Sequence, residues 1–319
     1  MRQNKRVAVV IPAYNEGSQI TGVVQSLPSW VDHVLVVDDC SKGETSARVA
    51  DLAAADPRIE LLRHERNRGA GAATSTGYRR AIELRADVTA VLDGDGQMPS
   101  DELADIVDPV LRGDCDFAKA NRLASGEAWT QIPRVRYLGN AALTLLTKIA
   151  SGYYGITDSQ TGFTAIGLPV LERLDLDGLY PRYGYPNDRL VRLNVLKARV
   201  RDVPSRPIYG VGERSTMKIW KVLFTISLLL FRRFWWRMGV RYVVRDFHPL
   251  VLFYTLGCFL LGLGLSFGLL LVGLLIFADR HPSTGDTVLD SLAISTGLLL
   301  VLFAMLFDFE HNQPLNPES

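Results

Sequence analysis

Cysteine is scarce in this chain of 319 residues, and Cys40, Cys115 and Cys258 are scattered and odd in number. They form neither a zinc set nor a disulfide framework, which fits a reducing compartment. Net charge is almost absent as well, at +1, so no bulk attraction to nucleic acid is implied. Two stretches lack charge altogether. Pro249 to Ala278 contains no Asp, Glu, Lys, Arg or His, and Leu292 to Phe307 is equally bare, with apolar character beginning near Val288. Crossing a hydrocarbon core takes roughly 20 apolar residues, and globular core helices seldom run so long without a charge. Both runs therefore read as transmembrane helices. Internal repeats and low-complexity tracts are missing too.

The start, Met1 to Arg6, is polar and basic, but Val7 to Ile11 is far too short for a signal-peptide core. The amino-terminal domain is accordingly expected on the cytoplasmic side. Arg232, Arg233, Arg237, Arg241 and Arg245 precede the first span, which agrees with the positive-inside rule. Two spans would return the acidic tail (Asp308, Glu310) to the same side, making a multi-pass membrane protein.

What is present begins with alternation. Val7–Ile11, Val34–Val37 and Val88–Leu92 read as buried strands and Ile59–Leu62 as a short one. Ser18–Leu27, Glu44–Ala55, Ala70–Leu84 and Asp101–Leu111 read as helices between and after them, and Asp116–Ala120 as extended. Such alternation predicts an α/β domain with a largely parallel sheet, in which ligands collect at the carboxyl ends of strands. Beyond Asn121 the pattern loosens: Tyr137–Ile149 reads as an amphipathic helix, Asp158–Phe163 as a polar loop before a short strand, Asn187–Lys197 as a helix and Val200–Val203 as a last strand. Ile219–Phe231 is apolar but bracketed by Lys218 and Arg232 and interrupted by Lys221. It suits an interfacial helix, with Trp220, Trp235 and Trp236 as belt anchors.

Three strand ends carry polar clusters. Asp93-Gly94-Asp95-Gly96-Gln97 places two carboxylates two residues apart after a buried strand. Such acids on the ligand face of a sheet repel each other unless a cation or an arginine neutralises them. Mg²⁺ and Mn²⁺ suit this oxygen-rich corner, above all when shared with a diphosphate. Pro12-Ala13-Tyr14-Asn15-Glu16 offers a ring and a carboxylate for a nucleobase and ribose, or is simply a turn with a capping Asn. Asp38-Asp39-Cys40-Ser41 is either a hydrogen-bond acceptor for a nucleoside or a helix cap. Arg66, Asn67, Arg68, Gly69 and Gly71 precede a helix whose first amides could attract an anion, or form a plain basic loop. Arg122, Arg134 and Arg136 could hold a phosphate bidentately, or lie on a solvated surface. Arg206, Arg214 and Lys218 are equally open, between lipid headgroups and a lipid-borne phosphate. Asn187-Asp188 opens a helix, as a cap or with Asp188 at the reacting centre.

The order Val-Ile-Pro-Ala-Tyr-Asn-Glu (10–16), Val-Asp-Asp (37–39), Asp-Gly-Asp-Gly-Gln (93–97) and Gln-Thr-Gly-Phe (160–163) resembles family-two glycosyltransferases. Within them it looks most like the dolichyl/polyprenyl-phosphate mannose and glucose synthases, over roughly residues 5–218. The narrower likeness rests on Arg122, Arg136 with Asn140, the Gly-Phe loop and the two spans. The resemblance implies a GT-A fold, α/β and Rossmann-like with a mainly parallel sheet, followed by interfacial helices and two transmembrane helices. The corresponding bounds are 1–214, 215–246, 247–310 and a polar tail 311–319. It implies that Asp93, Asp95 and Gln97 hold the metal, Mg²⁺ or Mn²⁺, with Asp93 and Asp95 catalytic; Asp188 is counted with them from its place at the helix start. Pro12, Tyr14, Glu16, Asp39 and Asp93 would contact the nucleotide, joined by Asp38 from its place in the strand-end cluster, and Arg122, Arg136, Asn140, Arg214 and Lys218 the acceptor phosphate. The activity implied is inverting transfer of a hexose, mannose ahead of glucose, from GDP-mannose or UDP-glucose to dolichyl or polyprenyl phosphate at a lipid surface.

There are departures. The last basic motif of that family usually reads Arg-x-x-Gly-x-Ser-Lys, whereas here Arg214 and Lys218 flank Ser215-Thr216-Met217. Asn140 stands where the acceptor helix often has Ser, and the membrane part is shorter than in four-span members. Two other readings compete. A polysaccharide or glycolipid synthase of the same fold would usually carry Gln-x-x-Arg-Trp, which this chain lacks. A non-catalytic nucleotide-binding membrane scaffold would bind without turnover. Two spans also offer faces through which a homo-oligomer could pair.

Overall fold

The computed structural model describes residues 1–124, 134–208, 219–245 and 247–317; for 134–138 and 219–221 it describes the backbone only. The chain divides into two compact units, Met1–Phe234 with Gln313–Ser319, and Trp235–Asn312.

The first unit is built on one seven-stranded sheet. Its strands are β1 (Val7–Ala13), β2 (His33–Asp38), β3 (Ile59–Arg63), β4 (Val88–Val91), β5 (Phe117–Asn121), β6 (Thr164–Gly167) and β7 (Val200–Pro204), in the order β3-β2-β1-β4-β6-β5-β7. Pairings β1–β2, β1–β4, β2–β3 and β5–β7 are parallel, while β6 runs antiparallel between β4 and β5. The helices are α1 (Ile20–Gln25), α2 (Thr45–Ala55), α3 (Ala70–Glu83), α4 (Leu103–Arg112), α5 (Arg134–Ser151), α6 (Leu168–Leu171), α7 (Tyr185–Val195) and α8 (Ile219–Gly239), the last continuing past the unit boundary.

Strand β1 is apolar at every position because both faces of the sheet are covered. Val7, Val9 and Ile11 pack with α1 and α4, whereas Ala8 and Val10 pack with α3 and α7. The small residues of α3 have a use: a Cβ on Gly77 would lie 2.2 Å from Val10 Cγ1, so helix and strand meet almost backbone to side chain. The parallel register pairs Val10 with Val91 and Ala13 with Asp38. The ends of β1, β2 and β4 thus open on one edge, and Gly94 N donates to Pro12 O beyond the ladder. Within this unit α8 buries Ile226 and Leu230 and exposes Phe224, Leu228 and Phe231.

The second unit holds the end of α8, a π-helical segment Val240–Arg245, and two long helices, α9 (Leu250–Ala278) and α10 (Thr284–Asn312). Both are long and apolar enough to cross a membrane, and few of their residues are buried, unlike the core helix of a soluble protein. They pack through glycines: a Cβ on Gly297 would stand 2.8 Å from Leu261 N and one on Gly257 3.0 Å from Gly297 O. Small residues at such a crossing let backbones approach where the solvent is lipid. Asp308, which the sequence places in an acidic tail, is instead fully buried inside α10. Arg237 grips it through Nη1 and Nη2 at 2.9 and 2.7 Å, and Tyr242 OH donates to Oδ1 at 2.7 Å. The helical repeat turns that carboxylate inward, a direction that composition does not reveal.

Candidate active site

Strand β4 delivers the acidic corner. After Leu92 the chain turns through Gly96 in a left-handed conformation (φ 76°), and the Asp95 carboxylate accepts the Gln97 amide at 2.9 Å. That conformation is cheap only for glycine. Asp93 is raised well above the ordinary carboxylate value, first by burial and next by the charge of Asp95, with Arg122 and Arg189 opposing. Glu16 is raised by the same two causes, burial and Asp95. Half-buried acids crowded so closely that the charge of Asp95 raises its neighbours form an oxygen donor set suited to a hard divalent cation. Gln97 lines the same cavity and adds a neutral oxygen.

The cavity, about 230 Å³, brings Asp93, Asp95 and Gln97 together with Arg122, Asn140 and Gln160. Its apolar side is supplied by Leu143 of α5 and Val222 and Leu223 of α8. Arg122 follows β5 and is held by Asp158, with Nε to Oδ2 at 2.7 Å and Nη2 to Oδ1 at 3.2 Å. Burial pushes Asp158 up, but the charge and hydrogen bond of Arg122 and the charge of Lys119 more than offset it, leaving Asp158 below its ordinary value. The side chain of Arg136 and all of Arg214 and Lys218 lie outside the described residues.

The nucleotide candidates separate into two groups. Tyr14 exposes 42% of its surface at the strand edge, and Pro12 and Glu16 flank it. Asn15 Oδ1 accepts the Lys42 amide while Asn15 N donates to Ser41 Oγ, tying together the loops after β1 and β2. Asp38 and Asp39, by contrast, are buried and turned into the protein. Asp38 accepts Ser41 N at 3.0 Å and the hydroxyls of Ser41 and Ser46. Asp39 accepts Arg68 N at 2.8 Å and Gly69 N at 2.7 Å, and pairs with His64 Nδ1 at 2.7 Å. Between the two open readings of the Arg66–Gly71 loop this favours the plain one, because Asp39 itself fills the anion position before α3.

Asp188 lies apart from the residues that line the cavity. Its buried carboxylate accepts Tyr180 N at 2.7 Å and pairs with Arg192 Nε at 3.2 Å and Arg233 Nε at 2.5 Å. Through Arg233 it ties α7 to α8. The roles of three residues were not assigned by sequence reasoning, although Gly162 stood in the Gln-Thr-Gly-Phe motif. Gly162 lies so close to the corner that a Cβ there would sit 2.8 Å from Asp93 Oδ2. Arg189, buried between the rings of Phe117 and Tyr185, donates to Tyr78 OH at 2.7 Å. Asp158 was visible only as part of a polar loop.

A mostly parallel α/β sheet whose strand ends unite an acidic pair, an arginine and an exposed aromatic ring defines a GT-A-type glycosyltransferase. The sequence profile of glycosyl transferase family 2 matches residues 8–174, and the chain belongs to that family. It is 30% identical over 219 residues to the UDP-N-acetylglucosamine–dolichyl-phosphate N-acetylglucosaminyltransferase of Methanococcus voltae, covering 65% of this chain and 87% of that one. To the polyprenol monophosphomannose synthase of Mycolicibacterium smegmatis it is 32% identical over 235 residues, 71% of this chain and 88% of that one. Among solved structures, glucosyl-3-phosphoglycerate synthase from Mycobacterium tuberculosis with Mn²⁺, UDP and phosphoglyceric acid superposes with a TM-score of 0.54 at 19% identity, over 74% of this chain and 79% of that one. The last likeness carries the fold alone.

Proposed function

We propose that the chain transfers a hexose from a nucleotide diphosphate sugar to dolichyl or polyprenyl phosphate at the cytoplasmic membrane face, inverting the anomeric carbon. Mannose is favoured as the sugar and glucose comes next; the relative from M. voltae adds N-acetylglucosamine to the donors worth testing. One observation carries this reading: a single cavity joins the Asp93/Asp95 corner, Arg122 and an apolar wall from α5 and α8. A diphosphate, a second phosphate and a lipid chain ask for those three surfaces. The exposed Phe224, Leu228 and Phe231 on α8 suit an apolar surface at headgroup height.

Asp93, Asp95 and Gln97 would hold Mg²⁺ or Mn²⁺, whose charge stabilises the leaving diphosphate. Pro12, Tyr14 and Glu16 are assigned to the nucleoside; Asp38 and Asp39 support that edge from beneath. Arg122 orients the acceptor phosphate, with Arg136, Asn140, Arg214 and Lys218 assigned to the same anion. The nucleophile is a phosphate oxygen, already anionic at neutral pH, so no strong general base is required. Asp188 is accordingly assigned to holding α7 and α8. Catalysis then rests on positioning and electrostatics.

The test incubates purified protein with GDP-mannose, UDP-glucose or UDP-N-acetylglucosamine, polyprenyl phosphate and Mg²⁺ or Mn²⁺, and weighs the lipid products. A single hexosyl-phosphate lipid is expected; a polymer ladder, or no lipid product from any donor, overturns the reading. Asp95→Asn is expected to lower transfer at least ~100-fold while the protein still folds. Full activity in excess chelator contradicts the metal assignment.

A further inference from the structure

The loop Asp158–Phe163 touches both halves of the proposed reaction. At one end Asp158, only 1% exposed, binds Arg122 through two side-chain nitrogens and also accepts the Arg122 backbone N–H at 3.3 Å. At the other end Gly162 lies against the Asp93 carboxylate. Between them the loop is fastened from outside the sheet. Ser159 Oγ accepts from Gln160 Nε2 at 2.9 Å and from Asn187 Nδ2 of α7 at 3.3 Å, and it lies 3.2 Å from Thr144 Oγ1 of α5. Asn187 Nδ2 also donates to Thr147 Oγ1 at 2.7 Å.

An arginine side chain has many rotamers, and one that lines a cavity has to be fixed from behind if its planar fork is to meet an anion in one orientation. The group behind Arg122 is a buried carboxylate in bidentate contact, which specifies the plane of the guanidinium as well as its position. We propose that Asp158 is a positioning residue for the acceptor anion: by gripping one edge of Arg122 it sets the orientation in which the guanidinium meets the incoming phosphate. The loop fixes that orientation relative to the acidic corner, so the nucleophilic oxygen and the donor diphosphate are held at one spacing. Asp158 touches neither substrate, and its effect passes through Arg122. The inference rests on the lipid-phosphate reading given above.

The decisive comparison is wild type against Asp158→Asn, a substitution of nearly equal shape that weakens the grip on Arg122. Transfer to polyprenyl phosphate is measured as kcat/KM for the acceptor, and binding of GDP and of UDP with Mg²⁺ by calorimetry. The expected result is a loss of about 10- to 100-fold on the acceptor side, with nucleotide affinity within about twofold of wild type because that face does not meet Asp158. Unchanged acceptor kinetics overturn the proposal. So does a parallel fall in nucleotide affinity, which would mark Asp158 as general support for the fold. Should Asp158→Asn fail to fold, Arg122→Lys carries the test: it keeps the charge but loses the fork. The acceptor-side loss is expected again with nucleotide affinity kept, and wild-type acceptor kinetics in that variant overturn the proposal. Absence of lipid-phosphate transfer by the wild-type protein is a different failure, that of the underlying reading, and takes the inference with it.

Discussion

At the scale of single residues the site is a matter of close approach. Gly162 has no room for a methyl group beside Asp93 Oδ2. Gly162→Ala is therefore expected to displace that carboxylate, weakening apparent Mg²⁺ or Mn²⁺ dependence by about tenfold or more while the melting temperature stays near wild type. A metal titration of activity checks it, and an unshifted titration would show that the corner yields without cost. The Asp158 carboxyl stands below its ordinary value through Arg122, despite burial. A depressed carboxyl contributes stability that is complete above the unfolded value, roughly 3.9, and is lost as pH falls through the folded one. Between about pH 6 and pH 3 wild type is thus expected to lose more thermal stability than Asp158→Asn; equal losses in paired melting curves would contradict it. The acidic corner was legible because its residues are adjacent in sequence. Asp158 and Arg122 are separated by 36 positions, and no local spacing announces their pairing. For Asp38 and Asp39 the sequence places carboxylates at a strand end without telling that both are buried and hydrogen-bonded to the neighbouring loops.

At the scale of elements, continuous apolar runs announced the buried strands, and strand-helix alternation announced a mainly parallel sheet. What alternation does not reveal is the direction of β6, the short strand read after Phe163. Four residues, Thr164–Gly167, enter antiparallel between β4 and β5, a placement set by long-range pairing rather than by local pattern. The helical turn Leu168–Leu171 is too short for a periodicity to register. Boundaries moved where caps were weak: the helix read from Ser18 to Leu27 is confined to Ile20–Gln25, with no side-chain cap at its start. The contact of α3 with β1 gives an element-scale expectation. Gly77→Ala inserts a methyl against Val10 and should cost about 1–3 kcal/mol in stability. Val10→Ala made together with it should recover part of that cost, a coupling that a double-mutant cycle of unfolding free energies detects. Strictly additive losses would mean that α3 shifts freely over the sheet.

At the scale of the whole molecule, two charge-free runs foretold two long helices, and the chain supplies them in the unit Trp235–Asn312. Hydropathy reports the length of such a helix but not the polar contacts at its end, which is why Asp308 was read as part of a tail. Removing one member of a buried ion pair leaves the other without its counter-charge, at a cost of about 3–5 kcal/mol. Asp308→Ala is expected to incur a loss of that order, read as lowered resistance to unfolding by detergent; resistance equal to wild type would assign the pair no structural weight. The spacing of the pair has a further consequence for biosynthesis. Asp308 follows Arg237 by 71 residues, with α9 and all but the last turn of α10 between them. The ribosome therefore releases the carboxylate only after both hydrophobic segments have been made. Arg237 thus waits for its counter-charge through the whole of α9 and most of α10, and the fully buried ion pair can close only once those two apolar stretches exist.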